Sequence, residues 1–300
     1  MGEVVIQAGV ILTGATKFIG RHVLSELRSR GVPVTCLVRP GADVTALHAL
    51  DIELIEGDLN RPVQLADRLY GRENLIHIPN LASMTDMVTL LKVYEMAQLR
   101  RVIFTSSTGI FTKLPARTKP RREAAERAIT KSRLSFTVVR PTLVYGGLED
   151  DNVIRLLRFC QRSPVMPIFG SGEARQQPVH VQDLAWAIAE VLGNVKAHRK
   201  AYNLGGGQVL SYNALIHLSY RALGRRGVLL HLPTKPTATL VRLAHRSGIR
   251  LPLREEQILR LEEDKAFDLS VARADFGYAP RSFEQGVAEE ARSLLESFLR

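Results

Sequence analysis

Cysteine is scarce in this chain. Its 300 residues contain two, Cys36 and Cys160, each in an apolar context. Two separated thiols supply neither a disulfide framework nor the Cys/His spacing of a zinc site. They are expected to be buried and reduced, and no metal site is expected. Aromatic residues make up 6% of the chain, and no nucleic-acid-binding motif accompanies them, so no nucleic-acid partner is expected. No apolar run approaches the roughly 20 residues that span a bilayer. Met1 leads into Gly2-Glu3-Val4, without the basic and apolar regions of a secretory leader, and the sequence reads as cytoplasmic.

Acidic residues are the scarcer charge, 30 against 41 Lys and Arg, for a net charge of +11. Most of the excess reads as scattered, solvated arginine. One stretch is denser: Arg242, His245, Arg246, Arg250 and Arg254 alternate with leucines over residues 240–254. Two readings stay open for it. It is either the basic outer face of a lobe helix or a contact with an anionic membrane surface or a partner.

The chain is organised around Val10 to Gly20, V-I-L-T-G-A-T-K-F-I-G. An apolar run ends at Thr13-Gly14, and a helical pattern begins at Phe18. That order predicts a buried parallel strand, a glycine turn and a helix N-terminus. Free backbone N–H groups and the positive helix end suit a dinucleotide pyrophosphate. Gly14 allows the turn, and Gly20 lets helix and sheet approach. Lys17 stands where the middle glycine of such a loop is usual.

Further strands are expected at Pro33–Val38, Glu53–Glu56, Asn74–Ile78, Arg100–Phe104 and Leu134–Val139, with a short one at Ala201–Leu204. Helices are expected over Thr85–Leu99, Asn152–Phe159, Ser211–Leu223, Thr237–Ser247, Arg254–Glu263 and Phe283–Leu299, and one begins near Pro62. Pro164–Gly172 reads as an apolar loop. Val228–Leu232 is a candidate strand. The second strand ends at Arg39 rather than at an acid. An acid there would hold the ribose hydroxyls of NAD, whereas the planar fork of an arginine suits the 2′-phosphate of NADP. NADP(H) is therefore expected over NAD(H). His77 reads as a satisfied core histidine, and Asp58 also reads as a helix cap. Thr105-Ser106-Ser107-Thr108 places four hydroxyls in a row at a strand's carboxyl end, where α/β ligands bind.

The loop T-G-A-T-K-F-I-G resembles the fingerprint T-G-A-T-G-F-I-G of the short-chain dehydrogenase/reductase superfamily, in its extended and atypical branches, matching at seven of eight positions. Arg140-Pro141-Thr142-Leu143-Val144-Tyr145-Gly146 is similar to the R-P-T-x-v-Y-G segment of those branches, and Pro178-Val179-His180-Val181-Gln182-Asp183 to their P-v-h-V-x-D segment. The resemblance implies a Rossmann-type doubly wound parallel sheet with a small, mainly helical C-terminal substrate lobe. Residues 1–148 would form the nucleotide-binding domain, rejoined by 173–204, with 149–172 and 205–300 as the lobe. It implies cofactor contacts at Gly14, Thr16, Lys17, Phe18, Ile19 and Gly20, then at Arg39, Asp58, Leu59, Pro79, Ser106, Pro141 and Thr142. Asp58 would meet the adenine amino group.

For catalysis the resemblance implies that Ser107 orients the substrate oxygen. The family's Tyr-x-x-x-Lys pair aligns with Thr118 and Arg122, so the usual proton relay is absent. Tyr145 and Lys119 are the replacement acids to consider. The implied substrate is a small carbonyl or carbinol compound, with a nucleotide sugar among the options. Two functions follow from the resemblance. One is an NADP(H)-dependent epimerase/dehydratase-like or reductase enzyme. The other is a silent nucleotide-binding assembly protein, like the accessory subunit of respiratory complex I.

Overall fold

The computed structural model describes residues 9–247 and 255–297. The expected apolar runs form a seven-stranded parallel sheet. Its strands are β1 (Val10–Thr13), β2 (Val34–Val38), β3 (Glu53–Glu56), β4 (Asn74–His77), β5 (Arg101–Thr105), β6 (Ser135–Pro141) and β7 (Lys200–Leu204). They run in the order β7-β6-β5-β4-β1-β2-β3. The order reverses beside β1, between β2 and β4, where an open sheet leaves a crevice at its carboxyl edge. In register, Thr13 faces Leu37 on one side and His77 on the other, so the ends of β1, β2 and β4 lie level.

Helices cover both faces, which explains why the central strands are apolar throughout. Helix α1 (Phe18–Ser29) packs beside α4 (Val181–Gly193) on one face. Helices α2 (Met87–Met96) and α3 (Lys119–Lys131) pack on the other. Val23, Leu24 and Leu27 of α1 are buried at helical spacing. Each such side chain contributes about 1.5–3 kcal/mol on leaving water. Both cysteines are buried and free, and burial pushes the Cys36 thiol up to about 12.

A second core is built from Val153–Arg162, Tyr212–Ala222 and Phe283–Glu296, around Tyr145, Ile154, Leu157, Ile216 and Phe283. Pro164–Gly172 is not all loop. Val165–Phe169 forms a strand, paired in parallel with Val228–Leu232. Met166 and Ile168 turn inward at a period of two, a pattern masked in sequence by Pro167. Pro62 opens only a 3₁₀ turn, Pro62–Leu65, which passes into the single turn Ala66–Leu69. Asp58 does not cap it; its carboxylate accepts the Asn60 N–H at 2.9 Å.

In the basic stretch, the helix Thr234–Arg246 buries Ala238 and Val241 against Ile258 and leaves Leu240 and Leu243 exposed. Arg242 meets Glu255 at 3.6 Å. Arg250 and Arg254 lie outside the described residues. No helix among the described residues is long and apolar enough to cross a membrane.

Candidate functional site

The turn between β1 and α1 is shaped by its glycines. Gly14 has φ +80°, where a side chain would be strained, and a methyl group added there would sit 3.3 Å from Ile78 and from the Pro79 ring. A Cβ on Gly20 would collide with the Gly14 carbonyl, so the helix start and the turn touch backbone to backbone. Lys17 is the N-cap residue of α1 and donates no side-chain cap. Its ammonium cannot accept a hydrogen bond. The first bond into the helix is from Arg21 N–H to the Lys17 carbonyl at 2.9 Å. The N–H groups of Phe18, Ile19 and Gly20 therefore have no acceptor among the described residues. Uncapped amides at a helix N-terminus attract an anion. Lys17 is exposed and unpaired among the described residues, while Thr16 uses its carbonyl to hold Arg21 at 3.1 Å.

The ends of β2 and β3 open onto a groove of about 500 Å³ lined by Arg39, Gly57, Asp58, Arg61, Gln64 and Arg68. Leu59 is buried in the core with Leu65 and Leu69. None of Arg39, Arg61 and Arg68 has an ion pair or side-chain hydrogen bond among the described residues. Glu56 and Asp58 line the same groove, so three guanidinium groups against two carboxylates leave a modest net positive field for a phosphate. Arg61 and Arg68 were not anticipated from the sequence. A basic residue three positions after Asp58 was the available signal.

At the ends of β4 and β5 the side chains are largely engaged with one another. His77 is fully buried; its Nδ1 lies 3.4 Å from the Tyr94 hydroxyl, and its Nε2 has no partner among the described residues. It is thus only half satisfied, and burial holds it neutral, down to about 4. Ser106 donates to Glu126, which also receives the Arg140 guanidinium through two nitrogens. The Arg140 guanidinium stacks on Phe111 at 5.4 Å. The Arg of R-P-T and the Glu of α3 are thereby one buried ion pair that ties β6 to α3. Thr142 donates to the Gln177 carbonyl, and Thr108 donates to the Pro141 carbonyl at 3.1 Å. Asp183 pairs with Arg281 at 3.1 Å. These contacts position loops and leave Ser107 as a half-buried hydroxyl accepting the Gly109 N–H at 3.1 Å.

The Tyr/Lys positions separate. Thr118 is exposed at the start of α3, and its hydroxyl caps nothing. Arg122 turns inward. It is 8% exposed, donates to Asn80 Oδ1 at 3.4 Å and leaves its Nε without a partner among the described residues. Burial, opposed by Glu126 and reinforced by the charge of Arg260, holds it below the usual guanidinium range. Ser107 and Arg122 are therefore brought together, and Thr118 is not joined to them. Tyr145 is fully buried, packed edge-on to His180 at 5.3 Å and against Phe283 at 5.2 Å. Lys119 donates to the Thr112 carbonyl at 2.6 Å. Neither has the setting of a proton donor.

Arg260 and Lys265 were not anticipated at the site. They belong to a segment that crosses from the lobe to the end of β5. Glu263 fastens it, accepting from Thr112 Oγ1 at 2.6 Å, Lys113 N at 2.7 Å and Leu114 N at 3.3 Å. Phe267 N donates to Gln177 Oε1 at 2.8 Å, and its ring packs on Phe111 at 5.5 Å. The signal was long-range, about 150 residues apart in sequence for Glu263 and Lys113.

The family model described as NAD(P)H-binding matches residues 14–194, well over half of the chain. A ceramide reductase of Caulobacter vibrioides is 29% identical over 186 residues, covering 59% of this chain and 58% of that protein. The mitochondrial NADH dehydrogenase [ubiquinone] 1 alpha subcomplex subunit 9 of Arabidopsis thaliana is 24% identical, covering 89% of this chain and 72% of that protein. Among solved structures, UDP-glucose 4-epimerase of Thermotoga maritima with UDP-glucose shares the fold, with a TM-score of 0.73 at 18% identity, over 97% of this chain and 99% of that one. The chain belongs to the NAD(P)H-binding family.

Proposed function

We propose that the chain is an NADP(H)-dependent oxidoreductase of the reductase or epimerase/dehydratase type, acting on a carbonyl or carbinol carbon. The observation that supports the cofactor choice is the groove at Arg39, Arg61 and Arg68, where three cations outnumber the two acids Glu56 and Asp58 and none of the three is ion-paired among the described residues. The 2′-phosphate belongs there, and the pyrophosphate belongs at the uncapped amides of Phe18, Ile19 and Gly20. When bound, the nicotinamide supplies hydride-exchange chemistry. Ser107 donates to the substrate oxygen. Arg122 provides a fixed positive charge that favours negative charge developing on that oxygen. The proton comes from solvent, because Thr118, Tyr145 and Lys119 do not serve.

In this reading residues 1–148 with 173–204 form the nucleotide unit, 149–172 with 205–300 form the substrate lobe, and the protein acts in the cytoplasm. Calorimetric titration tests the cofactor: tighter binding of NADP⁺ than of NAD⁺ is expected, and equal affinities would sink the preference.

A second reading has its own support. The Arabidopsis complex I subunit aligns along most of this chain, and the site has no side-chain acid. A nucleotide-binding assembly protein would use the Thr234–Arg246 helix, with Leu240 and Leu243 exposed beside its arginines, as a partner or membrane contact. Binding of NADPH without oxidation by any carbonyl compound would favour it.

A further inference from the structure

The excess positive charge of this chain is not scattered. Between Glu190 and Glu255, residues 191–254 hold eleven Lys and Arg and no Asp or Glu, while the other 236 residues hold 30 of each. The whole net charge of +11 therefore sits in one run. Within it Arg221, Arg225, Arg226, Lys235, Arg242 and Arg246 are exposed. Arg221 and Arg242 each meet one acid, Glu284 at 3.4 Å and Glu255 at 3.6 Å. Arg226, Lys235 and Arg246 have no ion pair or side-chain hydrogen bond among the described residues. The same run exposes large apolar side chains: Val228 by 67%, Leu230 by 52%, Leu240 by 66% and Leu243 by 50%. Val228 and Leu230 share one face of their strand, with Val165 and Pro167 beside them in register. On the helix Thr234–Arg246, the buried Thr234, Ala238 and Val241 mark the face turned to the lobe. At about 100° per residue, Pro236, Leu240 and Leu243 fall on the opposite side, and Lys235, Arg242 and Arg246 share one flank.

We infer that the helix Thr234–Arg246 docks the lobe on an anionic bilayer surface, with Leu240 and Leu243 entering the interface and Lys235, Arg242 and Arg246 at the level of the lipid phosphates. The surface chemistry selects lipid. A nucleic acid would engage the cations and leave the leucines in water, and the chain has few aromatic side chains to stack on bases. A bilayer interface takes both, because anionic headgroups meet Lys and Arg while the outer acyl region receives Leu. The lack of any carboxylate in the run removes the group that such headgroups would repel. The contact is peripheral. A few cations and two leucines give attachment that is reversible and weakened by salt.

This contact rests on the second reading above for its choice of helix and commits that helix to lipid, but its test does not involve the nucleotide site. The full chain is sedimented with vesicles of phosphatidylcholine alone, and of phosphatidylcholine with about one third phosphatidylglycerol. It should pellet with the second and not with the first, and be released as salt rises. Lys235→Gln with Arg246→Gln should weaken attachment about tenfold or more, at about fivefold for each charge near the surface. Leu240→Asn with Leu243→Asn should weaken it to a similar extent without removing charge. Arg127→Gln with Lys131→Gln takes two exposed cations from α3 instead, and should stay within about twofold of wild type. The substituted side chains are exposed, so Tm should not move, and the cation variant decides should the leucine variant fail to fold. Oxidation of NADPH by a carbonyl compound would overturn the silent assembly reading and leave the lipid contact to be judged by sedimentation. No pelleting with anionic vesicles, equal pelleting with neutral ones, unchanged attachment in both helix variants, or an equal loss in the α3 variant would overturn the inference. Binding to double-stranded RNA and not to vesicles would overturn it in favour of nucleic acid.

Discussion

Along the carboxyl edge of the sheet, the turn after β1 and the loops after β5 are built from different materials. At the first, the working groups are backbone amides, fixed by two glycines and a helix start. Lys17 replaces a glycine there, and the amides of Phe18 to Gly20 remain uncapped. At the second, the groups on which the proposed function relies are side chains. Replacing Tyr and Lys by Thr118 and Arg122 removes a proton donor and buries a permanent cation. A backbone site tolerates substitution as long as the chain path survives, whereas a side-chain site changes its chemistry with each residue.

The sharpest break falls on the backbone site. Gly20→Val drives a branched side chain into the Gly14 carbonyl and Ala15. Neither is the yielding tip of a flexible side chain. NADP(H) binding should be lost and stability lowered by about 1–3 kcal/mol. Calorimetry and thermal melting check both, and retained affinity would contradict the close approach.

On the side-chain site, Ser107→Ala should reduce turnover of a reducible substrate by about 10²–10³-fold. NADPH affinity should not change. Equal turnover would remove Ser107 from the chemistry.

Arg39→Asp should weaken NADP(H) about tenfold or more and favour NAD(H) in relative terms, since one charge-assisted phosphate contact is lost and an acid is supplied for the ribose. Arg61→Gln should act in the same direction and more weakly. Competition titrations of the two cofactors decide it.

The lobe offers a contrast in pH response. Glu290 is buried beside Asp150, neither of its oxygens meets a donor among the described residues, and burial and then Asp150 push it up to about 10. Only a proton on Glu290 supplies the missing hydrogen bond. The folded state therefore holds a proton that the unfolded chain releases at ordinary glutamate pKa. Its stabilising contribution is fully present below that value and is lost as pH rises toward about 10. Glu290→Gln should flatten the decline of Tm above neutral pH and raise Tm by a few degrees at pH 8. An unchanged slope would show that the pair does not share a proton.

The smallest effect is expected at Lys17. It is exposed and unpaired among the described residues, so Lys17→Gly should change NADP(H) affinity only a few-fold and reduce its salt dependence. Identical affinity and salt response would make it a solvated loop residue.

The sheet was legible because buried parallel strands are short apolar runs between turn residues, as Val10–Thr13 and Asn74–His77 are. The strand Val165–Phe169 was hidden by its proline, and the helix expected near Pro62 is a 3₁₀ turn and a single helical turn that bury Pro62, Leu65 and Leu69. At the site, Gly14, Gly20, Arg39 and Ser107 stood out because their roles follow from local position. Thr118 was placed by alignment with a motif, and the helix start it occupies turns its hydroxyl outward. Arg68, Arg260 and Lys265 carried no local mark, and Arg61 carried only its place three residues after Asp58.

The sequence by itself determined the seven strands of the parallel sheet, the glycine turn, the arginine at the end of β2 and the missing Tyr/Lys pair. Each depends on neighbours a few residues apart, through backbone sterics and the period of apolar side chains. Only the tertiary structure decided that Arg140 belongs to Glu126, that Tyr145 is packing, and that Arg260 comes near Arg122. Those outcomes depend on which charge is left unpaired after folding, and that is fixed by contacts spanning up to about half the chain.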